Sequence, residues 1–383
     1  MPSLLNRFLF ALTACLLWIG NIPLAQALEY LSSDDNVKLT LGGRLQADTA
    51  FFASDLTEFS DASEIRRARL LFGARLFRDW NLRYDYDLAS TSSPIKNAFV
   101  RYEGLDNASL TLGHFQEPFS MEELTSSGVT TFMERALPNT FVPSFHLGAA
   151  VNAHSNDWTF AAGIFDRALG SNKDSGHGYS ARLTYAPVHD GNRTLHLGFS
   201  SAYRNPESDT VRYSVSPESN VADHDLVRTG TINNVNHTTG YGLEAAAQFG
   251  SYSLQGEYII TDVNRSRDDV SFSGAYLYAS WVITGETRNY NSKTGVFGGI
   301  KPLRKFDLTR KGYGAWELAA RYSTIDLNDG PIHGGKQDNI TLGLNWYLNS
   351  TLRLTANYLN VHSKRRDTRD NPAIFQLRVQ VDF

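Results

Sequence analysis

Apolar and polar residues alternate with a period of two along most of this chain. In Phe375–Phe383 every odd-numbered residue is apolar and every even-numbered residue is polar. Ile340–Trp346 alternates in the same way, with isoleucine, leucine or tryptophan at the even positions and threonine, glycine or asparagine between them. Because successive side chains of a strand point to opposite faces, this period predicts strands with one apolar and one polar face.

Sixteen such segments follow one another between residues 37 and 383. Most contain 8–13 residues, close to the ~9–11 that a tilted strand needs to cross a bilayer. The predicted strands are Val37–Ala53, Ser63–Phe77, Trp80–Ser90, Lys96–Glu103, Ser109–Phe115, His146–His154, Trp158–Asp166, His177–Pro187, Arg193–Arg204, Thr238–Gly250, Tyr252–Val263, Val270–Glu286, Tyr313–Asp326, Gln337–Tyr347, Thr351–Val361 and Ala373–Phe383.

The even number and the length of these strands predict a closed antiparallel barrel in a membrane. In such a barrel the apolar faces contact lipid and the polar faces line a water-filled interior. A soluble β-sandwich would need fewer and shorter strands, and it would not need an apolar face on every strand. The predicted fold is therefore all-β, a 16-stranded antiparallel transmembrane β-barrel with inward-folded constriction loops.

The first residues have the pattern of a secretory signal peptide. Arg7 precedes an apolar run from Phe8 to Ile19, and Ala25-Gln26-Ala27 offers a small-residue cleavage site. We predict a signal peptide at residues 1–27 and a barrel at residues 28–383, whose net charge becomes -5 when Arg7 is removed from a total of -4. Lipoprotein processing at Cys15 is an alternative, which the continuing apolar run disfavours. No later segment supplies the ~20 consecutive apolar residues of a membrane helix, but a closed barrel can also satisfy its backbone polar groups in lipid.

The predicted connections alternate between short turns and longer loops. The turns follow even-numbered strands, which places them in the periplasm and the loops outside. Gln116–Phe145 contains aromatic residues and prolines without sustained alternation, and such long segments are usually functional or disordered. We expect this loop to fold into the barrel and narrow it. Thr287–Gly312, 26 residues long, follows the twelfth strand on the periplasmic side, and we expect it to lie in the lumen as well.

Basic residues predominate on the polar faces of the predicted strands and in the insert Thr287–Gly312, which carries a net charge of +6. The outer loops Gln116–Phe145 and Asn205–His237 each carry a net charge of -3. These charges predict an acidic mouth above a basic interior, unless the outer acids only solvate the surface. Clusters of arginine and lysine select anions in pores. The residues predicted to line a basic path are Arg69, Arg75, Lys301, Arg304, Lys305 and Arg310. The ten lumen-facing arginines are Arg44, Arg67, Arg69, Arg75, Arg83, Arg101, Arg182, Arg321, Arg353 and Arg378.

Several motifs resemble the phosphate-selective porins O and P, in the same order along the chain. They are Arg66-Arg67-Ala68-Arg69, Gly-His-Phe-Gln-Glu-Pro-Phe-Ser at 113–120, Glu-Glu-Leu-Thr-Ser-Ser at 122–127, Met-Glu-Arg-Ala-Leu-Pro at 133–138, Thr284-Gly285-Glu286 and the run from Ala315 to Ser323. The resemblance covers essentially the whole mature chain. It implies a trimeric outer-membrane barrel whose inward-folded loops form an anion-selective constriction.

The resemblance also implies an anion site. In the family this site uses the arginine pair of the second strand, the serines of the third loop and the arginine that follows, which match Arg66, Arg67, Ser126, Ser127 and Arg135. Guanidinium groups and hydroxyls suit the oxygens of phosphate. Two features depart from the phosphate-selective members. Those members have lysines where this chain has Glu123 and Gly128, and they have an arginine-rich outer loop that this chain lacks. We expect Glu123 to repel phosphate at the constriction. The alternative is that it pairs with a neighbouring arginine and holds the loop in place.

These observations predict an outer-membrane porin for small anions, phosphate-like by resemblance. The expected partners are the transported anion, outer-membrane lipid and lipopolysaccharide, and further copies of the chain in a homotrimer, with no nucleic acid, metal or cofactor. A general or other-solute diffusion porin with weak phosphate selectivity is the alternative, followed by a tethering or adhesive barrel and an outer-membrane enzyme. The chain has no Gly-x-Ser-x-Gly, His-Glu-x-x-His or phosphate-binding glycine loop, so no catalytic residue is predicted.

Overall fold

The computed structural model describes residues 27–169 and 176–383. Within them the chain forms sixteen long antiparallel strands that close into one barrel, which confirms the predicted fold. The predicted signal peptide lies outside the described residues, apart from Ala27. The strands are β1 (Val37–Ala53), β2 (Ala62–Leu76), β3 (Trp80–Asp87), β4 (Ile95–Leu105), β5 (Ala108–Gln116), β6 (Phe145–His154), β7 (Trp158–Phe165), β8 (His177–His189), β9 (Arg193–Asn205), β10 (Val235–Phe249), β11 (Tyr252–Arg265), β12 (Val270–Val282), β13 (Ala315–Asp329), β14 (Ile332–Tyr347), β15 (Leu352–Arg365) and β16 (Ala373–Asp382).

Each strand pairs with the next along the chain, and β16 pairs with β1 to complete the ring, with Arg44 opposite Asp382. Gly43 and Phe383 extend this pairing: the Gly43 amide donates to the Phe383 carbonyl at 2.7 Å, and the Phe383 amide donates to the Gly43 carbonyl at 2.9 Å. A Cβ atom at the neighbouring Gly42 would lie 2.5 Å from the Phe383 carbonyl oxygen, so the close approach of the two backbones requires glycine there. The closed ring pairs both edges of the sheet.

Several strand ends differ from those that the alternation predicted. β14 begins at Ile332 rather than Gln337, and β15 ends at Arg365 rather than Val361. Outward-facing residues at these ends are polar, so the alternation fades although the backbone stays paired. β12 ends at Val282 because a turn follows, closed by a hydrogen bond from the Gly285 amide to the Val282 carbonyl at 3.0 Å. Two short strands extend the sheet: Leu28–Leu31 pairs with β1, and Thr368–Asp370 pairs with β15.

The outer face of the barrel is apolar. Leucine, isoleucine, valine and aromatic side chains at alternate strand positions are exposed there, whereas many polar and charged side chains of the inner face are buried. The tryptophans of the described residues all stand near the periplasmic ends of their strands, at positions 80, 158, 281, 316 and 346. Because tryptophan favours the membrane–water interface, this ring marks the periplasmic boundary of the lipid-facing band. No helix in the two described ranges is long and apolar enough to span a membrane.

Candidate functional site

The inner loop, residues 117–144, joins β5 to β6 and contains helix α1 (Met121–Leu124) and a 3-10 helix (Leu137–Phe141). Inward-facing side chains on the far side of the ring bind its backbone. Five of these side chains each donate to one loop carbonyl. Gln46 donates to Ser127 at 3.0 Å, Gln380 donates to Gly128 at 2.8 Å, and Asn345 donates to Thr131 at 2.9 Å. Arg378 donates to Met133 at 2.6 Å, and Arg321 donates to Glu134 at 3.0 Å. Because β5 and β6 lie about halfway round a sixteen-stranded ring from β13–β16, the inner loop crosses the interior of the barrel.

Each glutamate of the inner loop pairs with an arginine. The pairs are Glu117–Arg204, Glu122–Arg321, Glu123–Arg135 and Glu134–Arg66. All these carboxylates are largely buried, with side-chain exposures of 0%, 9%, 3% and 15%. The acids of this loop therefore fasten it to the wall and to itself, and they do not form the exposed acidic mouth that the net charge suggested.

A β-bulge brings Arg66 and Arg67 to the same side of β2. The register between β1 and β2 shifts between Gln46 and Ala47, which leaves Arg66 as an extra residue next to Arg67. Both guanidinium groups then approach Glu134 of the inner loop, Arg66 Nε at 2.8 Å and Arg67 Nη1 at 3.8 Å. Regular alternation places only one of two adjacent residues in the lumen, so the sequence could not show that the pair acts together.

Glu134 lies between three arginines, because Arg378 of β16 also approaches it, at 2.8 Å. Burial disfavours the ionised carboxylate, but the positive charges of Arg66, Arg67 and Arg378 outweigh burial and hold the pKa of Glu134 well below its usual range. Arg378 additionally donates to both oxygens of Asp48, at 2.7 and 2.6 Å. The arginine pair of the predicted anion site is thus engaged by a carboxylate of the loop.

The predicted serines lie beside a different arginine. Nη1 of Arg44, on β1, donates to Ser126 Oγ at 3.2 Å and to Ser127 Oγ at 3.0 Å, and Nη1 of Arg69 lies 3.4 Å from Ser127 Oγ. A Cβ atom at Gly128 would collide with the Arg44 guanidinium, so the glycine leaves room for it. The alternation placed Arg44 in the lumen, but the contact with the serines depends on how the loop folds.

Arg135 and Glu123 form a brace inside the inner loop. Arg135 Nη1 lies 3.2 Å from Glu123 Oε2, and its Nε and Nη2 donate to loop carbonyls at 2.7–3.2 Å. Neutral side chains also donate to the Glu123 carboxylate, namely those of Gln116, Asn139 and Ser144. These contacts match the alternative in which Glu123 pairs with a neighbouring arginine and holds the loop in place.

Two cavities border these groups. The upper cavity, on the side of the outer loops, has a volume of about 250 Å³ and a lining that includes Arg66, Arg67, Arg135, Glu134 and Glu218. The lower cavity, towards the periplasm, has a volume of about 520 Å³ and a lining that includes Arg44, Gly128, Lys301, Arg353 and Asp382. The predicted site is therefore divided, with its three arginines at the upper cavity and its serines beside Arg44 at the lower one.

The periplasmic insert, residues 283–314, begins along the inner wall. Arg288 pairs with Glu317 of β13 at 2.7 Å and donates to the Val129 carbonyl of the inner loop at 3.2 Å. From the opposite wall, Arg182 of β8 donates to the carbonyls of residues 294 and 295 at 2.9 and 2.7 Å. This part of the insert therefore crosses the interior beneath the inner loop, as predicted for the whole insert.

The second part of the insert, which contains residues 304–310 and is called the rim segment here, lies at the periplasmic rim of the barrel instead. Phe306 packs edge-on against the outward-facing Trp346, with ring centroids 5.1 Å apart, and its amide donates to the Leu348 carbonyl at 2.6 Å. The residues of the predicted basic path are therefore separated. Arg69 lies at the serines and Lys301 lines the lower cavity, but Arg75 is exposed near the periplasmic end of β2, and the rim segment exposes Arg304, Lys305 and Arg310.

The outer loop, residues 206–234, covers the inner loop. Its Glu218 accepts a hydrogen bond from the Leu137 amide at 3.1 Å and pairs with Arg321 at 2.7 Å. Apolar residues of both loops join one buried cluster with inward-facing residues of β11–β13, including Leu137, Phe141, Val215, Val227 and Ile232. The outer loop thus holds the inner loop from above.

Most buried interior carboxylates pair with arginines, whereas Glu257 accepts hydrogen bonds from the Glu122 amide and the Tyr276 hydroxyl, both at 2.7 Å. Besides those of the loops, Glu244 pairs with Arg182 at 2.6 Å and Glu317 pairs with Arg288 at 2.7 Å. Among the described residues, no group of three or more His, Cys, Asp or Glu side chains is placed to hold a metal ion. The interior therefore presents guanidinium groups and hydroxyls as ligands, which suit anions.

Known proteins are similar to this chain in sequence or in architecture. A model of the family described as phosphate-selective porin O and P matches residues 39–383. Porin O of Pseudomonas aeruginosa is 26% identical to this chain, over 88% of this chain and 86% of that protein. A solved anion-selective porin from Comamonas acidovorans has a TM-score of 0.58 at 15% identity and covers 91% of this chain and 100% of its own. The trimer form of OmpT of Vibrio cholerae has a TM-score of 0.55 at 10% identity, with coverages of 91% and 100%.

The solved structures support the closed barrel, and the family match extends over nearly the whole described chain. The exposed apolar band and the ring of tryptophans fit a barrel inserted in lipid. The chain therefore belongs to the phosphate-selective porin O and P family and is a porin of the bacterial outer membrane.

Proposed function

We propose that this porin forms a water-filled channel selective for small anions, with phosphate or a phosphate-like ion as its cargo. The observation that carries the proposal is the contact of Arg44 with both Ser126 and Ser127, at 3.2 and 3.0 Å, beside the lower cavity. A guanidinium group next to two hydroxyls offers several donors in a small space. Such donors suit the oxygens of a tetrahedral anion.

The two missing lysines of the family pattern are offset in the fold. The charge of Glu123 is taken up by Arg135, so it does not face a passing anion. A lysine is missing at Gly128, but the Arg44 guanidinium occupies the space where a side chain at that position would begin. The barrel wall thus supplies the cation that the loop lacks, which supports a phosphate-like cargo.

A channel site must also release its ion, which requires weak or shared binding. Arg44 Nε bonds Asp382 at 2.5 Å, and Arg69 Nε bonds Asp87 at 2.9 Å. Arg44 and Arg69 therefore each have a carboxylate partner, which weakens the electrostatic attraction between the arginine and an anion. This arrangement fits a site of passage.

A general diffusion porin with weak phosphate selectivity is the second candidate. It is favoured by the upper cavity, where Glu134 engages Arg66, Arg67 and Arg378 and leaves little free positive charge. In either case we propose a channel rather than an enzyme or an adhesin, because the inner loop and the insert form their contacts across the interior.

We also propose that the chain forms a homotrimer. The trimer form of OmpT of Vibrio cholerae, which is similar in fold, supports this assembly. Light scattering of the detergent-extracted protein checks the assembly, and elution as a monomer would count against it.

A planar-bilayer recording tests the channel. In a salt gradient the reversal potential should show anion selectivity, and phosphate should block the chloride current. Arg44→Gln should weaken that block about tenfold, since a hydrogen bond from a charged group contributes about 1.5–3 kcal/mol. Arg75→Gln is the matched control, because Arg75 is exposed and lies towards the periplasmic end of β2.

Cation selectivity of the natural protein would contradict the anion channel. Phosphate block that survives Arg44→Gln, or that Arg75→Gln weakens equally, would favour the general diffusion porin.

A further inference from the structure

A basic groove lies on the outside of the barrel, at the ends of β13, β14 and β15 that are remote from the periplasmic turns. It encloses a cavity of about 560 Å³. The connections at this end, after β13 and β15, follow odd-numbered strands, so the groove belongs to the extracellular side. Its basic lining residues are His333, Lys336, His362, Lys364, Arg366 and Arg369.

Cations face one another directly across this groove. Lys336 of β14 is the register partner of Lys364 on β15, and Lys364 is also the register partner of Arg369. Like charges directly opposite one another destabilise a sheet. None of these cations forms an ion pair with any residue that the structure describes, in contrast to the paired arginines of the inner wall. The groove therefore has a local excess of positive charge that suits an external anion.

The two acids of the groove are engaged by neutral donors. Asp338 accepts a hydrogen bond from the Tyr322 hydroxyl at 2.6 Å. Asp326 lies opposite Lys336 in the register, but its Oδ1 accepts from the backbone amide and side-chain amide of Asn328, at 2.9 and 2.8 Å. These carboxylates help to hold the loops at the rim and leave the lysines available.

The depth of the groove decides what can enter it. On β14, the outward positions below Lys336 and Asp338 are Ile340, Leu342 and Leu344, which belong to the apolar face in contact with acyl chains. The groove starts directly above them, where the headgroups of the outer leaflet lie. A ligand with acyl chains along that face would place its headgroup among the cations.

We propose that this groove binds the phosphorylated headgroup of lipopolysaccharide in the outer leaflet. Lysine and arginine beside an apolar surface are a recurring arrangement for anionic lipid headgroups. Phosphate oxygens between Lys336, Lys364 and Arg369 would convert three like charges into a shared set of charge-assisted hydrogen bonds. The groove opens sideways to lipid, so its occupant is a membrane component rather than an ion in transit through the pore.

Binding of lipid A to the detergent-solubilised protein tests this site. Bisphosphorylated lipid A should bind at least about 25-fold more tightly than its dephosphorylated form, since each cation near a membrane surface contributes about a fivefold gain. Lys336→Gln/Lys364→Gln should reduce the affinity for the bisphosphorylated form about 25-fold, about fivefold for each lysine. Arg265→Gln/Arg267→Gln is the matched control at the β11–β12 turn on the same side of the barrel, and its affinity should stay within about twofold.

The comparison of the two lipids uses the natural protein, so it holds even if the lysine variant folds poorly. Equal binding of both lipids would overturn the proposal. Displacement of lipid A by millimolar inorganic phosphate would assign the groove to free phosphate and overturn the lipid. A lysine variant that binds lipid A normally but changes the oligomeric state in light scattering would assign the groove to contact between copies, which also overturns it.

Discussion

The upper and lower cavities contain similar residues but differ in how their arginines are engaged. At the upper cavity, Arg66 and Arg67 are turned towards Glu134, a carboxylate carried by the inner loop. At the lower cavity, Arg44 reaches two serine hydroxyls and shares only its Nε with Asp382. The number of arginines in a pore therefore says little about its selectivity. The positions of their carboxylate partners decide where an anion can bind.

Removing the carboxylate of the upper cavity should have the largest effect. In Glu134→Gln, the half-buried Arg66 and the buried Arg67 and Arg378 lose their common partner, and breaking such a group costs about 3–5 kcal/mol. We expect a lower unfolding temperature and a larger conductance, because the inner loop is released from the wall. Heat modification on gels and single-channel recording measure both.

Glu103→Gln is the control for that variant. Its side chain is 47% exposed and lies 3.9 Å from Arg101, and exposed pairs of this kind contribute about 0–1 kcal/mol. If both variants unfold at the temperature of the natural protein, Glu134 does not hold the loop.

Glu123→Lys should have the next largest effect, and it changes the Glu123–Arg135 brace inside the same loop. The substitution places an ammonium beside Arg135 and removes the acceptor for Gln116, Asn139 and Ser144. We expect a larger conductance with no gain in phosphate block, because the brace is lost. Glu123→Gln keeps the size and the acceptor oxygen, so its conductance should change less. A tenfold stronger phosphate block in Glu123→Lys would instead support repulsion by Glu123 at the site.

Gly128→Ala perturbs the lower cavity alone and should have a moderate effect. The added methyl group would collide with the Arg44 guanidinium, which must move away from the serines. We expect phosphate block to weaken about threefold to tenfold, less than the loss of a charged hydrogen bond would give, because the guanidinium moves but its charge stays in the cavity. Gly298→Ala is the control, because its Cβ would meet only the Asn289 carbonyl, at 3.4 Å. An equal change in both variants would show that Arg44 does not contribute to phosphate binding.

Acidification should have the smallest effect above the ordinary glutamate pKa of 4.5. The folded-state pKa of Glu134 is depressed, so its stabilisation is complete above the unfolded-state value and is lost only as the pH falls through the lower folded value. The conductance should therefore stay constant from neutral pH down to this point and rise only in stronger acid. An earlier rise that is also present in Glu134→Gln would assign the transition to another group.

The sequence was sufficient to predict the barrel, because each strand must keep one face for lipid and the other for water. It also placed Arg44, Arg67 and Arg378 in the lumen by alternation alone. It did not show that Arg66 joins them, because the β-bulge that turns this residue inward leaves no mark in the alternation. The partner of each loop acid was equally hidden, since it depends on the path of the inner loop across the ring.

The insert shows the same limit in another form. Its composition is basic throughout, but only contacts separate the part along the inner wall from the part at the rim. Phe306 is an apolar residue within a basic run, and it indicates the placement at the rim because it packs on Trp346 of the outer face. A single aromatic residue in a charged loop was too little to predict that placement.

The pairing of β1 with β16 has a consequence for assembly. Arg44 and Asp382 are hydrogen-bonded across 338 positions of the chain, so the ring can close only after all sixteen strands have been delivered to the membrane. Contacts of such long sequence separation form slowly, because the entropy of closing the loop must be lost before they contribute. Until then β1 exposes an unpaired edge, which other chains can join. When the backbone hydrogen bonds between Gly43 and Phe383 form, the ring is complete and the chain no longer has the unpaired edge through which it could aggregate.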